Sequence, residues 1–82
     1  MVAADDRGEE VVVDVQGEFC PVPIIEMAKA MKKISVGGTV LLRCTDPGAE
    51  SDIPAWCKAT GNEILSMVRQ GGLIEARIRR TR

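Results

Sequence analysis

The pattern of apolar and polar positions divides the chain into six elements. Val11-Val12-Val13-Asp14-Val15 is a β-branched run that predicts a strand, and Gly17 ends it. From Pro23 to Lys33 the period becomes helical. Ile24, Met27, Ala28, Met31 and Ile34 recur at three- and four-residue steps and form one apolar stripe. Lys29, Lys32 and Lys33 come late in this helix, where cations suit its negative end. Gly37-Gly38 breaks the chain before a second strand, Thr39 to Cys44, with Val40, Leu42 and Cys44 on one face. Asp46-Pro47-Gly48 predicts a turn, with the Asp46 side chain accepting hydrogen bonds from nearby backbone N–H groups.

Ser51 or Asp52 then caps a short second helix, with Pro54 in its first turn and Gly61 as its C-terminal stop. Ile53, Trp56, Cys57 and Thr60 share a face of that helix. The runs Asn62 to Gln70 and Leu73 to Arg79 flank Gly71-Gly72, the signal of a tight hairpin. A two-residue turn pairs Gln70 with Leu73, sets Leu65 against Ile78 and Met67 against Ala76 on an apolar side, and sets Ser66 against Arg77 on a wet one.

The order β-α-β-α-β-β predicts an α/β fold, a two-layer sandwich with both helices on one face of a four-stranded sheet. A crossover through a helix makes early neighbours parallel, whereas the hairpin is antiparallel, so the sheet is mixed. The expected organisation is a disordered N-terminal arm over residues 1–10 and one folded domain over residues 11–80.

Size and composition narrow the function. At 82 residues there is one thin core and little room for a deep pocket. The net charge is −1 and the pI about 5.4, which gives no global pull toward nucleic acid or anionic membrane. Four basic and seven acidic groups lie in residues 1–41, and seven basic and five acidic groups in residues 42–82. Arg77, Arg79, Arg80 and Arg82 crowd the last strand and the tail, where they are expected to form a solvated edge. No apolar run reaches the ~20 residues needed to span a bilayer. The acidic start, Met1 to Glu10, does not resemble a secretory signal, so a cytoplasmic location is expected.

The chain contains no histidine, which excludes Cys-His and Ser-His catalysis and imidazole zinc sites. It has three cysteines, Cys20, Cys44 and Cys57, with no C-x-x-C pair. A disulfide framework or thioredoxin-like motif is therefore not expected, and neither a metal nor a cofactor is called for. Cys44 and Cys57 fall on apolar faces and are assigned to the core. Either would serve as a resolving thiol only if the fold brought it close to Cys20.

The unusual stretch is Gly17-Glu18-Phe19-Cys20-Pro21-Val22-Pro23. Two prolines this close together belong in a helix's first turn, where backbone N–H groups have no intrahelical partner to lose. Cys20 is then expected as the cap, near the positive end of the helix dipole, which favours its thiolate. Pro21 and Pro23 remove two N–H donors and Glu18 opposes the negative charge, so the activation is moderate. Moderate activation suits a shuttle, because nucleophilicity falls along with pKa. The competing reading makes Cys20 a small buried hydrophobe near a turn. The two prolines and polar Glu18 favour exposure. Phe19 and Val22 flank Cys20 and are candidates for apolar contact with partners.

Asp14-x-x-Gly17-x-x-Cys20-Pro21-x-Pro23 with Ala28-x-x-Met31 resembles the start of the TusA family of sulfurtransferases, also called SirA-like. Thr45-Asp46-Pro47-Gly48, Asp52-Ile53-Pro54, Trp56-Cys57 and Gly61-Asn62-Glu63 are similar to the family's middle segment. Many members have histidine at the position of Asn62. The resemblance covers roughly residues 11 to 80. It implies a sulfur carrier that accepts sulfane sulfur as a persulfide on Cys20, with Gly17, Pro21, Pro23 and Asp46 as the supporting motif and no cofactor. It also implies a cysteine desulfurase or rhodanese-like protein as donor. The implied acceptor is a DsrE-like relay leading to tRNA thiolation, sulfur-oxidation machinery or another thiolation path. The rival is a small RNA-binding or regulatory partner-binding module without chemistry. The acidic pI and the shortage of aromatic platforms speak against direct nucleic-acid binding.

Overall fold

The computed structural model describes residues 10–19 and 21–82. Its elements are β1 (Glu10–Val15), α1 (Val22–Lys33), β2 (Thr39–Cys44), α2 (Ala49–Thr60), β3 (Glu63–Gln70) and β4 (Leu73–Arg79). The expected α/β order is present, as a four-stranded mixed sheet with strand order β1-β2-β4-β3. β1 runs parallel to β2, while β4 is antiparallel to both β2 and β3. Of the residues expected to form an N-terminal arm, Glu10 instead opens β1, opposite Thr39. The remainder of that arm, residues 1–9, lies outside the described residues.

Alternation decides which face is covered. Val40, Leu42 and Cys44 on β2 and Ile74, Ala76 and Ile78 on β4 are buried, and their neighbours in sequence are not. The helices pack on this face through Met27, Ala30 and Met31 of α1 and Ile53 and Cys57 of α2. Ala30 lies outside the stripe that the period predicts, yet it is nearly as buried as Met31. Its small side chain admits close approach of helix and sheet.

The other face is open and carries charge. Arg43 bridges Glu75 at 2.9 Å and Asp14 at 3.4 Å across three strands. Arg77 reaches Glu10 at 2.8 Å, and Arg79 pairs with Glu63. Hydrogen bonds from Arg77 and from Thr39 hold the Glu10 carboxyl below its ordinary pKa. The arginine-rich last strand is solvated, as its charge predicts, but it is not an edge. β4 lies inside the sheet; Arg77 reaches across β2 to Glu10 of β1, and Arg79 pairs with Glu63 of the adjacent β3. Arg80 turns the other way and donates to the Ile34 and Met31 carbonyls at 2.6 and 3.3 Å, capping the C-terminal end of α1.

The hairpin follows the two-glycine turn, with Gln70 opposite Leu73, Met67 opposite Ala76 and Ser66 opposite Arg77. The expected pairing of Leu65 with Ile78 does not occur. A bulge between Ile64 and Ser66 puts Ile64 opposite Ile78 and leaves Leu65 43% exposed. The unbulged register would set Ile64 opposite Arg79. The bulge instead turns Ile64 onto the core and brings Glu63 to Arg79.

α2 also starts earlier than its sequence signals. Its cap is Gly48, and Pro54 lies inside the helix rather than in its first turn. The reason is local. Ala49, Glu50 and Ser51 donate to the carbonyls of Asp46, Pro47 and Gly48, so the turn winds directly into the helix. Gly61 ends it as expected, at φ 82°, donating to the Cys57 carbonyl at 2.8 Å. Among the described residues, no helix is long and apolar enough to cross a membrane.

Candidate functional site

The parallel pairing of β1 with β2 determines where the cysteine motif emerges. The two strands end in register at Val15 and Cys44. The chains leaving them, residues 16–21 and 45–48, therefore start side by side at one end of the sheet. In open α/β sheets this end of parallel strands is where sites gather.

The motif loop is held in short steps. Glu18 N–H donates to the Val15 carbonyl at 3.1 Å, and Asp14 Oδ1 accepts from the Gln16 backbone at 3.2 Å. Gly17 takes φ 86°, a left-handed conformation that side chains resist, and its N–H donates to Thr45 Oγ1 at 2.9 Å. On the far side, Val22 N–H donates to the Phe19 carbonyl at 2.9 Å and Ile25 N–H to the Pro21 carbonyl at 3.0 Å. The cap position of α1 belongs to Pro21, one residue later than the expected cap. Pro23 occupies the first turn and is buried, which seats the start of α1 against the core. Cys20 itself lies outside the described residues.

Its chain neighbours are at the surface. Glu18 and Pro21 are exposed, Val22 is half-buried and Phe19 is 67% exposed. Asp46 is buried beside this loop's anchor, and its Oδ1 accepts from Gly48 N–H at 3.1 Å. The turn role expected for Asp46 is thus present.

The other two cysteines are core residues, as their positions in the apolar pattern indicate. Cys44 is 0% exposed and Cys57 3%. Burial pushes the Cys44 thiol up, opposed by a hydrogen bond from the Asp46 backbone and reinforced by the Asp46 charge. Burial pushes the Cys57 thiol up to about 11. Neither forms the thiolate that a nucleophile requires near neutral pH. Among the described residues, no group of three or more histidine, cysteine or acidic side chains could hold a metal ion.

This burial has two measurable consequences. Native protein treated with iodoacetamide at pH 8 is expected to leave Cys44 and Cys57 unlabelled, and denatured protein to take up label at both. Mass spectrometry of the peptides checks this, and native labelling of Cys57 would contradict the packing. The second consequence concerns alkaline pH. The Cys57 thiol ionises more readily unfolded, near its ordinary 9, than folded, near 11. Its contribution to stability is therefore complete below pH 9 and is lost as pH rises through 11. Denaturant titrations of wild type and Cys57→Ala across this range should show the steeper decline in wild type.

A profile of the family Sulfurtransferase TusA matches residues 11–80. The chain belongs to the TusA family. A relative from Archaeoglobus fulgidus, a putative sulfur carrier protein by name, is 38% identical over 60 residues, covering 73% of this chain and 82% of its own. The sulfur carrier protein TusA of Allochromatium vinosum is 37% identical over 60 residues, covering 73% and 79%. The crystal structure of a SirA-like protein from Desulfitobacterium hafniense superposes with a TM-score of 0.76 at 22% identity, over 88% of this chain and 99% of that one, and so shares the TusA fold. TusA-family membership makes the chain a sulfur carrier, a protein that works between a sulfur donor and a sulfur acceptor.

Proposed function

We propose that Cys20 receives sulfane sulfur as a persulfide and hands it to an acceptor protein. One observation carries the reading. Cys44 and Cys57 are buried and kept as thiols, while the residues on either side of Cys20 stand at the surface on a loop anchored at both ends.

The Cys20 thiolate attacks the terminal sulfur of a donor persulfide. A new S–S bond forms to Cys20 as the donor's S–S bond breaks, and the donor's own sulfur departs as a thiolate. The transferred sulfur changes partner without net oxidation or reduction, as in thiol–disulfide exchange. An acceptor thiolate then attacks the terminal sulfur of Cys20-S-SH, and Cys20 leaves as thiolate. No general base is required if the attacking sulfur is already ionised.

Phe19 and Val22, on either side of Cys20 in the chain, supply apolar surface for a small, transient encounter with each partner. The donor fitting this chemistry is a cysteine desulfurase or rhodanese-like protein. The acceptor is a DsrE-like or other thiol protein of tRNA thiolation or sulfur oxidation. The reducing cytoplasm would keep Cys20 free for this exchange. The RNA-binding alternative loses support, since Arg77 and Arg79 are paired with glutamates and Arg80 is engaged with helix carbonyls. Incubation with a persulfide-loaded cysteine desulfurase should add one sulfur to the intact protein, recovered on the peptide containing Cys20. No gain, or sulfur recovered on Cys44 or Cys57, overturns the reading.

A further inference from the structure

We propose that Thr45 is a positioning residue for sulfur transfer, acting through the loop that carries Cys20. The inference rests on the persulfide reading of Cys20 and adds a residue to it. Past Val15, β1 has no further partner on β2, so the backbone of residues 16–19 lacks the ladder that orders the strand. The Gly17 N–H would face water there. Instead it donates to the hydroxyl oxygen of Thr45, 28 residues away in sequence, at 2.9 Å. The left-handed Gly17 peptide gives the loop its turn, and the hydroxyl pins that peptide to the end of β2.

Thr45 is a firm post for this bond. It follows buried Cys44 and precedes buried Asp46. Asp46 is held by its own bond to Gly48 N–H and by the Ala49 N–H donated to its carbonyl. The other flank of Cys20 is stiff independently, through Pro21, buried Pro23 and the opening bonds of α1. The two flanks thus hang from different elements, and Thr45 ties the first of them to the sheet. Displacement at S–S bonds requires the attacking sulfur, the central sulfur and the leaving sulfur in line. A loop free on one side samples that geometry less often.

The test compares Thr45→Val, Thr45→Ala and Thr45→Ser. Thr45→Val and Thr45→Ala should accept sulfur from a persulfide-loaded cysteine desulfurase roughly tenfold more slowly, while Thr45→Ser returns to within about twofold of wild type. Hydrogen exchange at the Gly17 amide should speed up in the valine and alanine variants and stay slow in the serine variant. Thr45→Ala covers the case in which valine disturbs the fold. A serine variant as slow as alanine, or an alanine variant as fast as wild type, overturns the role of Thr45 while leaving the persulfide reading intact. Wild type that accepts no sulfur overturns both.

Discussion

Cys20→Ser is expected to reduce sulfur acceptance to the level seen without the protein, while Cys44→Ala and Cys57→Ala retain it. The asymmetry follows from ionisation and access. An alcohol cannot carry a persulfide, and serine's hydroxyl is almost wholly un-ionised at neutral pH, so the substitution removes both nucleophile and carrier atom. Cys44 and Cys57 cannot replace it. A donor persulfide must bring its terminal sulfur into contact with the attacking thiolate, and both side chains lie behind packed apolar neighbours. Burial also holds both as thiols. The measurement is intact mass after incubation with a persulfide-loaded donor, with circular dichroism to confirm that each variant is folded. Equal sulfur gain by Cys20→Ser would refute the proposed chemistry.

The largest effect on stability is expected at Leu42. It lies mid-strand on β2, 0% exposed, opposite Val13 on one side and Ala76 on the other. Truncation to alanine loses the transfer free energy of the removed carbons and leaves a cavity, at a cost of about 3 kcal/mol. Domains of this kind have roughly 5–15 kcal/mol in total, and small ones lie toward the lower end. Leu42→Ala should therefore consume a large part of the stability. Urea titration would show a lower midpoint at unchanged slope, and each kcal/mol lowers Tm by roughly 4–8 °C in a domain of this length. Leu41→Ala is the control. It points to the open face of the same strand and should cost far less.

The site depends on this core more directly than its exposure implies. Leu42 helps hold β2 in register with β1, and that register brings Gly17 within reach of Thr45. Pro23, at the start of α1, is packed into the same interior. Sulfur transfer by a destabilised variant should therefore slow before global unfolding, as the loop loses its anchors.

Sequence alone was sufficient for the elements, the two-helix sandwich, the hairpin turn and the burial of Cys44 and Cys57. These rest on short-range rules: period two or 3.6, glycine where φ is positive, proline where an N–H can be spared. The cysteine motif was also visible, because a helix's first turn is where two neighbouring prolines cost least. What only the tertiary structure decided involves pairing at long range. Placing β4 between β2 and β3 took its arginines off the sheet edge and let them pair with Glu10 and Glu63 on the open face. The bulge at Leu65 arises because Ile64 gains burial and Glu63 gains Arg79 together. The early start of α2 depends on a turn that winds straight into it. The Thr45–Gly17 bond exists only because parallel β1 and β2 end side by side. Local propensity is encoded residue by residue. Which distant residues meet is settled by how the whole chain best buries its apolar face.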